Sequence, residues 1–246
     1  MQIELIGCTG AGKSTLAQRI CEAWQAQGID IVLGEDFVLD QVRLNWIRGR
    51  LLRKLVVNVM ALFAALLAWP THREAYRFAA RVLYPLPVTR LQKIDTFKNV
   101  LKRIGIYEII HYRGIDQQVV LIDEGVLQAA HYLFVHVSAH IEMEFITLYA
   151  GLIPLPDAIV YLRQPESTLI DRTMRRGHKR IPERSYGSVA PFIKQAVGVF
   201  DGLVQYPAIE RRLLVVNGTQ DVEIANKHQD EPTLERVQEI ITCGLQ

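Results

Sequence analysis

The chain has 246 residues and a mass of 28.0 kDa, the size of one medium domain. Half of the residues are hydrophobic and 22% are charged, which excludes a chain too polar to build a core. The net charge is only +2, so no overall field points to nucleic acid. Cys8, Cys21 and Cys243 are too few and too unpatterned for a disulfide framework or a zinc site.

Gln2–Gly7 is a short apolar run ended by glycine and reads as a strand. Lys13–Gln27 follows, with Leu16, Ile20 and Trp24 four apart, an amphipathic helix closed by Gly28. Ile29–Gly34 is a second strand, Val119–Ile122 a third, Ala158–Leu162 a fourth and Arg212–Asn217 a fifth. Helical patterns lie at about 125–150, 166–177, 188–206 and 220–242. Near-continuous apolar strands alternating with helices predict a parallel α/β sheet. The whole chain, 1–246, reads as a single domain. A helical insertion, 37–116, separates strands two and three, and a lid segment spans 163–184.

Charge is distributed unevenly. Residues 1–42 carry two basic and six acidic groups, net −4; residues 43–113 carry fourteen and three, net +11; the rest carry twelve and seventeen, net −5. The middle segment therefore faces something anionic. It contains Leu55–Trp69, fifteen residues without a charge, preceded by Arg48, Arg50, Arg53 and Lys54 and followed by Arg73 and Arg77. As a helix this run spans ~22 Å, short of the ~30 Å hydrocarbon core of a bilayer. Three readings stay open: a buried helix, a homodimer contact, or a peripheral membrane contact through residues 48–77. The cysteine usage, and an N-terminus without a basic stretch before an apolar run, predict a cytoplasmic location.

Gly7-Cys-Thr-Gly-Ala-Gly-Lys13-Ser14 fits the phosphate-loop pattern G-x-x-x-x-G-K-[ST] in full. The glycines let backbone N–H groups turn inward around a polyphosphate. Lys13 reaches the terminal phosphates, the Ser14 hydroxyl ligates Mg²⁺, and the following helix presents its positive end. Gly7, Thr9, Gly10, Ala11, Gly12, Lys13, Ser14 and Thr15 are thus the expected ATP contacts. The matching carboxylate is Asp123, at the end of the apolar strand 119–122, with Ser14 a ligand for Mg²⁺. Its neighbour Glu124 can orient or deprotonate a nucleophile. Glu35 and Asp36, after strand two, are alternative bases, since loops at the carboxyl ends of parallel strands line the ligand crevice. Arg172, Arg175, Arg176 and Lys179 share a helix face before and beyond Gly177, and Arg180 follows. Cations are needed there to stabilise a phosphoryl group in transfer, so Arg172, Arg176 and Arg180 are expected at ATP, with Gly177 as a hinge.

Weaker signals point nowhere firm. His136, His140 and Glu144 are four apart without a completing motif. Asn226–Asp230 has one residue too many for a guanine-reading motif. Cys8 reads as a small loop residue.

With these parts placed, the chain resembles the P-loop kinases of the thymidylate kinase and deoxynucleoside kinase group. The phosphate loop Gly7–Ser14 carries most of the resemblance. Asp123-Glu124 stands where those kinases usually have Asp-Arg, and Glu35-Asp36 where they usually have Glu-Pro. The arginines of 172–180 look like their lid, and Asn217-Gly218-Thr219 stands where their loop passes the adenine. The resemblance implies a five-stranded parallel sheet of order 2-3-1-4-5 with ATP and Mg²⁺ at its carboxyl edge. It further implies Asn217 and Gly218 as nucleotide contacts, and phosphoryl transfer to a small, anionic acceptor such as a nucleotide, nucleoside or other metabolite. The other reading is an ATPase or switch acting through the insertion.

Overall fold

The computed structural model describes residues 1–44, 46–113, 118–136, 142–181 and 183–218. Five parallel strands form one sheet: β1 (Gln2–Ile6), β2 (Ile31–Leu33), β3 (Val119–Ile122), β4 (Ala158–Arg163) and β5 (Leu213–Asn217). Their order is β2-β3-β1-β4-β5, as the resemblance implied. The register pairs Ile3 with Leu121 on one side of β1 and with Ala158 on the other. β1 and β3 are buried along their whole length because helices cover both faces. β5, at the edge, is only partly covered.

Helix α1 (Lys13–Ala26) buries Leu16, Ala17, Ile20, Cys21 and Trp24 against the sheet. It ends at Gly28, where Ile29 N–H donates to Trp24 O at 2.9 Å and Gly28 N–H to Gln25 O at 3.0 Å, a Schellman closure. That closure uses Ile29, and Gly34 already opens the next helix, so β2 is shorter than the 29–34 run predicts. Between β2 and β3 lie α2 (Gly34–Gln41), α3 (Arg50–Leu67), α4 (Trp69–Leu83) and α5 (Arg90–Arg113). The end of the expected insertion, at 116, falls outside the described residues. The single helix expected over 125–150 is instead α6 (Ala129–Phe134) and α7 (Met143–Leu152), with Val135 extended after the first. Next come α8 (Glu166–Arg176), α9 (Tyr186–Leu203) and the single turn α10 (Pro207–Glu210). The helix expected at 220–242 lies outside the described residues.

The apolar run 55–69 is not one helix. α3 stops at Leu67 and α4 leaves at 104°. Pro70, in the first turn of α4, explains the break: it has no N–H to give a preceding turn but is well placed at a helix start. Tyr76 of α4 donates to Ala65 O at 3.2 Å, and His72 bonds Glu108 of α5 at 2.7 Å, fixing the corner. No single helix among the described residues is long and apolar enough to cross a membrane.

α3 and α5 touch backbone to backbone. A Cβ on Gly105 would fall 1.8 Å from Ala61 O. Gly105→Ala must push the helices apart and is expected to cost about 1–3 kcal/mol. Urea unfolding should show the lower midpoint with an unchanged slope. An unchanged midpoint would place this crossing elsewhere.

Candidate active site

The phosphate loop joins β1 to α1 at the carboxyl edge of the sheet. Gly7 has φ 149° and Gly12, which caps α1, has φ 98°, both in the region that favours glycine. At Gly7 there is also no room: a Cβ would sit 2.7 Å from Leu162 O of β4. Lys13 Nζ folds back over the loop and donates to the carbonyls of Gly7 (2.7 Å) and Cys8 (3.1 Å). Burial lowers the Lys13 pKa, and the carboxylates of Glu124 and Asp123 work against that. Cys8 is a plain buried loop residue, its thiol pushed up to about 12 by desolvation.

The loop is joined to the acidic corner after β3. Ser14 Oγ donates to Asp123 Oδ2 at 3.2 Å, across 109 residues of chain. Burial and neighbouring Glu124 raise the Asp123 pKa, and the Ser14 hydrogen bond opposes this. A hydroxyl and a carboxylate converging beside a phosphate loop are the hard oxygen donors that suit Mg²⁺. Among the described residues no group of three or more His, Cys, Asp or Glu side chains forms a metal site; of the weaker candidates, His140 and Asn226–Asp230 fall outside them.

Two ion pairs brace the corner from α5. The Arg103 guanidinium, almost fully buried, binds Glu124. Lys102 binds Glu35 at 3.3 Å. Glu35 and Asp36 thus part company. Glu35 stays within electrostatic reach of Asp123, whereas Asp36 is bound by Arg53 of α3 and faces a separate small pocket with Asp40 and Gln118. The cause is Gly34: the chain turns into α2 at once, so neighbouring side chains point about 100° apart. Neither residue borders the large cavity, and nor does Asp123; from this acidic corner Glu124 reaches it.

That cavity, about 1460 Å³, opens over the phosphate loop. Its wall includes the loop, Gln164 and Val216–Gly218. Gly218 lies so close to Gln164 that a Cβ would meet its amide nitrogen at 1.7 Å, and Gly218 N–H donates to Arg163 O at 2.8 Å. Asn217 and Gly218 are therefore at the cavity, while Thr219 is outside the described residues. Glu124, close enough to Lys13 to raise its pKa, also borders the cavity, as do His131 and a polar face of α5: Gln92, Thr96 and Asn99. With Arg103 these recur at four, three and four residues, one side of a helix.

The basic segment from Arg172 to Arg180 also borders the cavity. Arg172 is tied to the loop itself, donating to Gly10 O at 3.1 Å. Arg175 turns outward to Asp171 at 2.9 Å, so the predicted shared face is divided. Arg176 lines the cavity close enough to Lys13 to lower its pKa. Arg180 donates to Tyr132 O and Val135 O and lies over the Tyr132 ring. It anchors the segment to α6 and still borders the cavity.

Sequence reasoning passed over Glu4 and Gln128. Gly7 N–H donates to Gln128 Oε1 at 3.2 Å, and Gln128 N–H donates to Glu4 Oε1 at 2.8 Å. This buried chain joins the phosphate loop to the segment after β3. It also explains Gly125: a Cβ there would lie 2.4 Å from the Glu4 carboxyl carbon. The signal was a lone acid in an otherwise apolar strand. Burial raises the Glu4 pKa to about 7. An acid with a raised folded pKa favours folding while protonated, so stability falls as pH rises from ~4.3, its unfolded value, toward 7. Glu4→Gln keeps the acceptor for Gln128 and removes the ionisation. Its melting temperature should change less between pH 5 and 7 than the parent's. Identical pH profiles would mean that Glu4 does not titrate there.

No protein-family model matches the chain, and no curated protein does. Among solved structures, the chain is similar to a deoxyadenosine kinase from M. mycoides with the products dCMP and a flexible dCDP bound. The identity is 15%, the match covers 99% of this chain and 100% of that one, and the TM-score is 0.48.

Proposed function

We propose that the protein is a Mg²⁺-dependent P-loop phosphotransferase that moves the γ-phosphoryl group of ATP to a small acceptor. The observation that carries this is the Ser14–Asp123 hydrogen bond of 3.2 Å. It unites a strand-end carboxylate with the phosphate loop, which borders a cavity large enough for two ligands. ATP supplies the transferable group and Mg²⁺ the charge that neutralises its phosphates. The loop N–H groups and Lys13 hold the phosphates, and Ser14 and Asp123 hold the metal. Asn217 and Gly218 flank the base. Arg176 offers its guanidinium to the group in transfer, while Arg172 keeps the lid helix on the loop.

Glu124 is our choice of base. It borders the cavity and is fixed by Arg103, so it can take the proton of an acceptor hydroxyl. Asp95 also borders the cavity, but Glu124 follows Asp123, the partner of Ser14, and lies close enough to Lys13 to raise its pKa. Glu35 serves by holding Lys102. The α5 face of Gln92, Thr96 and Asn99 favours an acceptor rich in hydrogen-bonding groups: a nucleoside, a nucleotide, or another hydroxyl-bearing or phosphorylated metabolite.

The test is transfer of labelled γ-phosphate from ATP across nucleosides, nucleotides and phosphorylated sugars and lipids. One compound should take up label in proportion to the ATP consumed. With that compound, Glu124→Gln should lower kcat by about 10²–10⁴ while ATP still binds. Slow hydrolysis that no acceptor accelerates would instead favour an ATPase or switch.

A further inference from the structure

Helix α3 has two apolar faces. Val57, Ala61 and Ala65 are buried and face α5, where Gly105 admits the backbone of Ala61. Leu51, Leu55, Val59, Phe63 and Leu67 recur every four residues and are 58–87% exposed. Two residues along a helix is a rotation of about 200°, so the second stripe lies opposite the first. Five large side chains in an outward row are far more than the single apolar residues scattered over an ordinary surface.

Charge decides the occupant. α3 contains no acidic residue. Arg48, Arg50 and Lys54 stand exposed at its N-terminal end, within the segment 43–113 of fourteen basic and three acidic groups. The α3 stripe of a second copy, laid on this one, would bring no carboxylate of its own to meet these cations. An anionic bilayer offers both things this face lacks, acyl carbon for the stripe and phosphate for the cations. Trp46, 73% exposed, precedes the helix and Trp69 follows it, the residue type that settles at the headgroup level. Because Val57, Ala61 and Ala65 hold α3 to α5, and α4 turns away at 104°, the helix can lie on a membrane but not cross it.

We propose that the outward face of α3 docks the protein flat on an anionic lipid surface. Exposure and charge alone mark this face, whatever chemistry the phosphate loop serves. The full chain should sediment with phosphatidylcholine vesicles containing about 30% phosphatidylserine and far less with phosphatidylcholine alone. About 0.5 M salt should release much of it. Arg48→Gln, Arg50→Gln and Lys54→Gln together should weaken binding on the order of a hundredfold. Leu55→Ser with Phe63→Ser should abolish it. These side chains are exposed, so both variants should keep the parent's circular dichroism and ATP turnover. Failure to bind anionic vesicles, or equal binding to neutral ones, would overturn the proposal. So would a concentration-dependent dimer in sedimentation velocity that Leu55→Ser with Phe63→Ser dissolves, since the occupant would then be a second copy.

Discussion

Lys13→Ala is expected to lower phosphoryl transfer from ATP by on the order of 10²–10³ while leaving the fold in place. The ammonium is the cation set directly over the phosphate loop, anchored by the carbonyls of Gly7 and Cys8. In a site partly closed to water it acts at low dielectric, where a fixed positive charge is worth most to a phosphate gaining negative charge. Its part in the fold is small. The side chain is only half-buried and belongs to no core cluster. Losing two hydrogen bonds of about 1 kcal/mol each should move the melting temperature by only a few degrees. Steady-state turnover and thermal unfolding on the same preparation separate the two effects. A variant that keeps full turnover would show that Gly7–Ser14 does not hold the reacting phosphates. One that simply unfolds would show that the anchored ammonium is structural.

The parts legible in the sequence were those fixed by local rules. A glycine-rich loop after an apolar run, and a carboxylate after another, placed Lys13, Ser14 and Asp123 without any knowledge of packing. The strand order followed from the resemblance that those residues carry. What was not legible depended on how helices are aimed. Glu35 and Asp36 were inseparable in the sequence, because one residue of helix decides which of them meets Lys102 and which meets Arg53. Nor did the sequence state that Arg103 would reach Glu124, since that needs the rotation of α5 about its axis.

Other features were visible but unread. Gln92, Thr96, Asn99 and Arg103 already stand at helical spacing, yet a polar stripe reads first as a solvated face. Thr96 and Arg103 are in fact buried, and burial is a property of the fold. The uncharged run 55–69 was conspicuous, but only the break before Pro70 and the packing of Ala61 on Gly105 separate its inner stripe from its outer one. The basic run 172–180 split for a similar reason: Arg172 meets the loop carbonyl of Gly10, and Arg175 finds Asp171 one turn back.

Asp123→Asn should act through the metal and leave the architecture alone. The amide has nearly the same size and keeps an oxygen to accept the Ser14 hydroxyl, so the link between loop and strand end can persist. What it loses is the negative charge. Mg²⁺ is a hard cation held through very few protein oxygens, and a carboxylate contributes most of their charge. We expect kcat at ordinary Mg²⁺ to fall by on the order of 10²–10³. Raising Mg²⁺ should recover part of it, because weakened binding of a ligand yields to mass action. The recovery should be incomplete, since Asp123 also fixes where the ion sits relative to Ser14. A Mg²⁺ titration of initial rate, parent beside variant, reads both features: the midpoint moves to higher Mg²⁺ and the plateau drops. Removing the charge also relieves Glu124 of a like-charged neighbour in a half-buried corner, so the variant's melting temperature without Mg²⁺ should be equal to the parent's or higher. A parent-like rate with a parent-like midpoint would leave Asp123 as no more than the acceptor that ties Ser14 to β3, and the metal would have to be held by other groups.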